Sequence, residues 1–252
     1  MRPKVNVYDG RDELAAALAS YVARLSATAC EETGSFRIAL SGGSLIDIIG
    51  PALCTEPWYS SIDWSCWHVF WADERWVSPG SPESNYRHAM QSFLNKVDIP
   101  GDQIHGADDA LNPSATAQAY ESILARVFQP PEGHLPSFDL ILLGVGEDGH
   151  TASLFPDHPV LAEDKRWVVP VLDAPKPPSI RITMTLPLIN NANNVAFVAC
   201  GSGKAEILTK VLTPVTEEPG LPAHLVNPAY GPLQWFIDRA AATKTGFATA
   251  FA

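Results

Sequence analysis

The chain has 252 residues, 46% of them hydrophobic and 18% charged, and 28 Asp and Glu against 17 Lys and Arg give a formal net charge of −11. A chain of this length can bury a core without needing disulfides or a structural metal. The negative balance argues against nucleic acid or an anionic membrane surface as the main partner, because both reward a basic face. It leaves open a small anionic ligand, held by a few local cations and backbone N–H groups.

Short apolar runs alternate with helical patterns along the whole chain, which predicts a Rossmann-like α/β fold: a mostly parallel sheet sandwiched by helices, in one unit spanning 1–252. Val5 to Tyr8 reads as a strand, and Leu14, Leu18, Tyr21, Val22 and Leu25 then recur at helical spacing. Phe36 to Leu40 and Trp67 to Trp71 are the next strands. A helix follows Ser84-Asn85 to about Lys96, and another covers Ala115 to Phe128 until Pro130-Pro131 stops it. Phe138 to Leu143 has almost no polar face and reads as a buried central strand. Trp167 to Leu172, Arg181 to Leu186 and Val195 to Cys200 complete the predicted strands, Lys204 to Leu212 is a helix, and Trp235 to Ala241 reads as a last helix docking on the sheet. The 22 prolines mark the seams, at Pro79 to Pro82, Pro130 to Pro136 and Pro170 to Pro178.

Cys30, Cys54, Cys66 and Cys200 form no Cys-x-x-Cys pair, and no paired Cys/His spacing suggests a metal site, so reduced thiols in the cytosol are the expectation. Met1 to Gly10 contains no apolar signal region, no run is long enough to span a membrane, and Ala250-Phe251-Ala252 is not a peroxisomal address. These features predict a cytoplasmic protein with no membrane association.

Ligands of open α/β sheets bind beyond the carboxyl ends of the strands, so the chemistry belongs just after each strand. Ser41-Gly42-Gly43-Ser44 follows the second strand; paired glycines there suit either an ordinary strand-to-helix turn or a phosphate at a helix N-terminus. Asp73-Glu74-Arg75 follows the third strand between tryptophans, as a pocket wall or an internal salt-bridge cluster. Gly144-x-Gly146-x-x-Gly149 formally matches a dinucleotide fingerprint. It lies past the chain's midpoint, and Pro156 and Pro159 cut short the long helix a fingerprint should open. What remains is Asp148-Gly149-His150, an imidazole that is largely neutral near pH 7 beside a carboxylate able to fix its tautomer. Lys204 in Gly201-Ser202-Gly203-Lys204 opposes the helix dipole, which fits either a nearby anion or a solvated surface lysine, and Arg181 is a further candidate cation. There is no Gly-x-Ser-x-Gly nucleophile elbow.

Together these segments, with Ser84-Asn85, Arg181-Ile182-Thr183 and above all Asp148 to Pro156 (Asp-Gly-His-Thr-Ala-Ser-Leu-Phe-Pro), resemble the 6-phosphogluconolactonase family, on the scaffold shared with glucosamine-6-phosphate isomerase/deaminase. The resemblance runs from about residue 36 to 210. It departs from the family at Leu45-Ile46, where lactonases often carry Thr-Pro. It implies a small additional mixed or antiparallel lobe, hydrolysis of a phosphorylated sugar lactone, no metal or organic cofactor, and a monomer. It also implies that His150 is the general base, that Asp148 orients it or meets sugar hydroxyls, and that Arg75 binds phosphate or the developing oxyanion. Gly42, Gly43 and Ser44 would cradle phosphate with Lys204 and Arg181, while Asp73 lines the substrate site. Two alternatives follow from the same residues: an isomerase or deaminase using Asp73 as the proton-abstracting base, and a non-catalytic sugar-phosphate sensor that would not need His150.

Overall fold

The computed structural model describes residues 3–78, 80–108, 112–213 and 220–247. Pro79 of the first proline-rich loop, and Met1, Arg2 and Ala250 to Ala252 of the segments read for targeting, lie outside the described residues. In chain order the elements are β1 (Lys4–Tyr8), α1 (Arg11–Thr33), β2 (Phe36–Leu40), α2 (Ser44–Leu53), α3 (Trp58–Ser61), β3 (Trp67–Trp71), β4 (Asp73–Arg75) and α4 (Asn85–Ser92). They continue with α5 (Pro113–Phe128), β5 (Leu140–Gly144), β6 (Val168–Val171), β7 (Arg181–Met184), α6 (Leu186–Asn190), β8 (Val195–Ala199), α7 (Ala205–Val211), α8 (Pro222–Leu225), β9 (Leu233–Asp238) and α9 (Arg239–Ala242).

A six-stranded parallel sheet in the order β1-β9-β8-β5-β2-β3 forms the centre. Its inner strands are apolar because both faces are covered. Successive side chains point to opposite faces. Ala39, Ile141, Leu143, Phe197 and Trp235 share one core with Tyr120 and Leu124 of α5. Ile38, Leu40, Leu140, Leu142 and Phe236 pack against Leu14, Leu18 and Val22 of α1. The long α1 stops at Gly34, whose φ of 73° suits glycine and whose N–H donates to the Cys30 carbonyl.

Two expectations are corrected, at Trp235 and at the cysteines, and the small lobe forms as expected. Trp235-Phe236-Ile237 is not helical: it lies in β9, hydrogen-bonded between β1 and β8, and only Arg239–Ala242 turns into α9. Its side chains alternate between the two cores, which is a strand period rather than a helix period. The predicted strands at Trp167 and Arg181 do form, as β6 and β7. They pair antiparallel with the three-residue β4 in a separate sheet of order β4-β7-β6, and that sheet is the small lobe. Finally, Cys30 in the last turns of α1 and Cys66 just before β3 are joined as a disulfide, while Cys54 and Cys200 are free thiols. Packing of α1 beside β3 brings the two sulfurs together across 36 residues of sequence, which spacing alone does not show. Among the described residues no helix is long and apolar enough to cross a membrane.

Candidate active site

All six central strands end at one edge. The chain leaves β2 toward β3 on one side, and leaves β5 toward β8 and β9 on the other, so the connections diverge between neighbouring β2 and β5. That switch point leaves a crevice, and the segments after these strands line it.

After β2, Ser41 donates its N–H to the Leu142 carbonyl and the chain turns at Gly43 (φ 71°, ψ −149°) into α2. This backbone region is open essentially to glycine alone. At Gly42 a side chain would collide with Asn85, whose Oδ1 would lie 1.8 Å from an added Cβ. Gly42, Gly43 and Ser44 thus bring the start of α2 to the crevice wall, where the N-terminal N–H groups of a helix suit an anion. Ser41 Oγ is buried there with no hydrogen-bond partner in the protein.

After β5 the chain folds into a tight turn. Gly149 N–H donates to the Gly146 carbonyl, Gly146 N–H to the His150 carbonyl, and Thr151 Oγ1 to the Gly144 carbonyl. Ser153 Oγ reaches Asp73 at 2.7 Å, and Leu154 and Phe155 enter the core. The turn presents His150 with its Nδ1 2.5 Å from Asp148 Oδ1. A carboxylate can only accept, so Nδ1 carries the proton and Nε2 keeps the lone pair. Burial lowers the basicity of His150 below that of a free imidazole, only partly offset by Asp148, so the ring is neutral at pH 7. Burial pushes the Asp148 carboxyl up, but His150 and Lys176 outweigh it and hold the group below its usual value.

The third strand contributes β4. Asp73 and Arg75 face the crevice, and Arg75 Nε is buried without a partner while Nη1 donates to the Glu83 carbonyl. Glu74, between them, points the other way. Its carboxylate accepts from the N–H groups of Arg75, Asn85 and Tyr86 and from Ser84 Oγ, so it pins the start of α4 to β4. Ser84 itself caps α4 through Arg87 N–H, and Asn85 Nδ2 donates to the Asp73 carbonyl. Burial, partly offset by these hydrogen bonds, raises the Glu74 carboxyl from 4.5 to about 6. The native state therefore binds the proton more tightly than the unfolded chain. The stability contributed is present below pH 4.5 and is lost as pH rises through about 6, an effect of about 2 kcal/mol. Glu74→Gln is expected to cost about 1–3 kcal/mol by facing an amide N–H₂ toward backbone donors, and also to remove this fall. Urea midpoints of the two proteins between pH 4.5 and 7 check both effects.

The cations are placed differently from one another. Lys204 precedes α7, lines the crevice and donates to the Val145 carbonyl at 2.8 Å, with burial lowering its basicity. Arg181, opening β7, also lines the crevice but is only 4% exposed. Its guanidinium donates to the carbonyls of Pro178 and Lys176 and lies 4.0 Å from Asp73 Oδ2. It is held by protein groups rather than left open.

The result is a cleft of about 390 Å³ whose walls include Gly42, Gly43, Ser44, Asp73, Arg75, His150, Arg181 and Lys204. Asp148 stands behind His150 rather than in the wall, which suits orienting the ring better than meeting a sugar hydroxyl. Sequence reasoning passes over Ser41, Asn85, Glu147 and Lys176 as wall residues. Ser41 and Asn85 sit in motifs already noticed, but nothing local marks Lys176 among its prolines. Among the described residues no group of three or more His, Cys, Asp or Glu side chains is placed to hold a metal ion.

Residues 9–235 match the family described as glucosamine-6-phosphate isomerases/6-phosphogluconolactonase. The chain is 44% identical over 249 residues to 6-phosphogluconolactonase 3, chloroplastic, of Arabidopsis thaliana, covering 96% of this chain and 75% of that protein. It is 38% identical over 251 residues to probable 6-phosphogluconolactonase 2 of Oryza sativa subsp. indica, covering 96% and 89%. The structure of 6-phosphogluconolactonase from Trypanosoma brucei superposes with a TM-score of 0.85 at 28% identity, covering 97% of this chain and 99% of that one. The chain belongs to the glucosamine-6-phosphate isomerase/6-phosphogluconolactonase family.

Proposed function

We propose that this protein hydrolyses 6-phospho-D-glucono-1,5-lactone to 6-phospho-D-gluconate, the second step of the oxidative pentose phosphate pathway, as a monomeric cytosolic enzyme that uses neither metal nor organic cofactor. The observation that carries the proposal is His150: an imidazole neutral at pH 7, its Nδ1 held by Asp148, in the wall of a cleft that also offers a helix N-terminus and cations.

The chemistry needs little else. The substrate phosphate is held by the N–H groups of Gly43, Ser44 and the first turn of α2, with Lys204 and Arg75 supplying charge. Binding energy from this remote group positions the lactone carbonyl over His150. Nε2 takes a proton from water as its oxygen bonds to C1, and the carbonyl oxygen becomes an oxyanion that a nearby cation stabilises. Collapse of the intermediate breaks the bond between C1 and the ring oxygen, and the imidazolium returns its proton to that oxygen. Arg75, with its unpartnered Nε, serves either the phosphate or the oxyanion, and Arg181 braces the wall. A coupled assay on freshly generated lactone, corrected for the spontaneous reaction, is expected to show saturable acceleration. No acceleration above that background would sink the lactonase assignment.

One observation favours a second reading: Asp73 lies in the cleft wall, where an isomerase would want its base. Its Oδ2 already accepts from Ser153 Oγ, and Arg181 lies beside it, which suits a structural carboxylate. Solvent deuterium appearing at the carbon next to a sugar-phosphate carbonyl, with no lactone turnover, would favour the isomerase instead.

A further inference from the structure

Lys176 lies in the proline-rich loop between β6 and β7, where a lone lysine would ordinarily be solvated and mobile. Here the loop is held at three points. Ala174 N–H donates to the Ser179 carbonyl, closing the loop on itself. His158 accepts from Val160 N–H on Nδ1, which leaves the proton on Nε2, and that proton meets Asp173 at 2.9 Å. The buried Arg181 guanidinium donates to the carbonyls of Pro178 (2.9 Å) and of Lys176 itself (3.0 Å). The backbone at Lys176 is thus fixed from below, and its side chain extends to the cleft and brings Nζ 3.3 Å from Asp148 Oδ1. That same oxygen accepts the proton of His150 Nδ1.

We propose that Lys176 is a positioning residue for the hydrolysis: its ammonium shares the Asp148 carboxylate with His150 and adds to burial in keeping the imidazole a neutral, Nδ1-protonated base. The proposal rests on the lactonase assignment above. Asp148 alone would favour the imidazolium, which cannot take a proton from water; a second cation on the same carboxylate weakens that pull without breaking the hydrogen bond that orients the ring. Once His150 has taken the proton, the nearby ammonium disfavours the imidazolium and so promotes its return to the departing ring oxygen. Arg181 acts one step further back, holding the loop that holds the lysine.

The other charged groups around the ring are Asp148 and Glu147 on its own turn, Asp73 and Arg75 from β4, and Lys204 before α7. Arg181 stacks over Phe155, whose ring lies 4.8 Å from His150. All of these stay in place when only Lys176 is changed, so its contribution can be isolated.

The test follows the His150 ring proton by NMR across pH 4.5–8 in wild type, Lys176→Met and Lys176→Arg, the signal being assigned by its loss in His150→Ala. The Lys176 side chain is about half exposed, so the variants should keep the wild-type backbone spectrum. The His150 inflection is expected to rise by about half a pH unit or more in Lys176→Met and to return to the wild-type value in Lys176→Arg. The acid limb of kcat/KM for the lactone should move with it. An unmoved inflection in folded Lys176→Met, with KM alone raised, would make Lys176 a plain substrate-binding cation and overturn the proposal. Lactone turnover by wild type distinguishes the two levels. Without it the lactonase assignment falls, and the catalytic role of Lys176 falls with it; with it, an unmoved inflection removes only Lys176.

Discussion

His150→Ala is expected to lower kcat for lactone hydrolysis by about 10²- to 10⁴-fold while KM changes by less than a few fold. The ring supplies a neutral base that the Asp148 hydrogen bond orients at the wall of the cleft. The turn beneath it does not depend on that ring. Gly146 donates to the backbone carbonyl of residue 150, and Thr151 Oγ1 to the Gly144 carbonyl, so truncation leaves the loop closed. The glycine turn after β2 and Lys204 are untouched, so phosphate binding should persist. Steady-state kinetics at pH 7, with binding of 6-phosphogluconate measured in parallel, checks this. Wild-type turnover in the variant would take His150 out of the mechanism. Retained binding with lost turnover would also separate an enzyme from a sugar-phosphate sensor, in which His150 is dispensable.

Gly146→Ala should damage the same step without removing a functional side chain. An added Cβ would lie 2.0 Å from His150 Nδ1 and 2.5 Å from Asp148 Oδ1, on both partners of the pair at once. The backbone at Gly146 does not have a positive φ, so alanine is locally acceptable and the collision is the whole effect. The ring and the carboxylate must move apart, and His150 then loses both its tautomer and its aim. A displacement near 1 Å at the reacting centre is worth about 10²-fold in rate, so a fall in kcat of that size or larger is expected. Stability should fall by about 1–3 kcal/mol, the usual cost of overpacking. Comparing kcat with the urea midpoint tests the claim, and near-normal kcat would show that the Asp148–His150 contact is not needed for turnover. Lys176→Met perturbs the same carboxylate by charge rather than by volume. The two substitutions therefore approach one hydrogen bond from independent directions.

What is local is legible in the residues alone. Parallel strands covered on both faces must be apolar throughout, so Phe36–Leu40 and Trp67–Trp71 are legible as runs, with the ends that the structure shows. The glycines after β2 and the Asp148 to Pro156 segment are legible for a related reason. A close backbone approach, a positive φ and a carboxylate two residues from an imidazole are conditions met within a few residues of chain.

The rest depends on which elements become neighbours in the folded chain. Trp235-Phe236-Ile237 is a strand because β1 and β8 leave a slot between them; in isolation a short apolar run is ambiguous between helix and strand. Cys30 and Cys66 are paired because α1 packs beside β3. Glu74 and Asp73 are adjacent carboxylates of one strand, yet the pleat sends one to cap α4 and the other into the cleft. Arg181 and Lys176 look interchangeable as cations in the sequence. The fold buries the guanidinium under a loop and sends the ammonium to Asp148, a division set by distances between elements far apart along the chain.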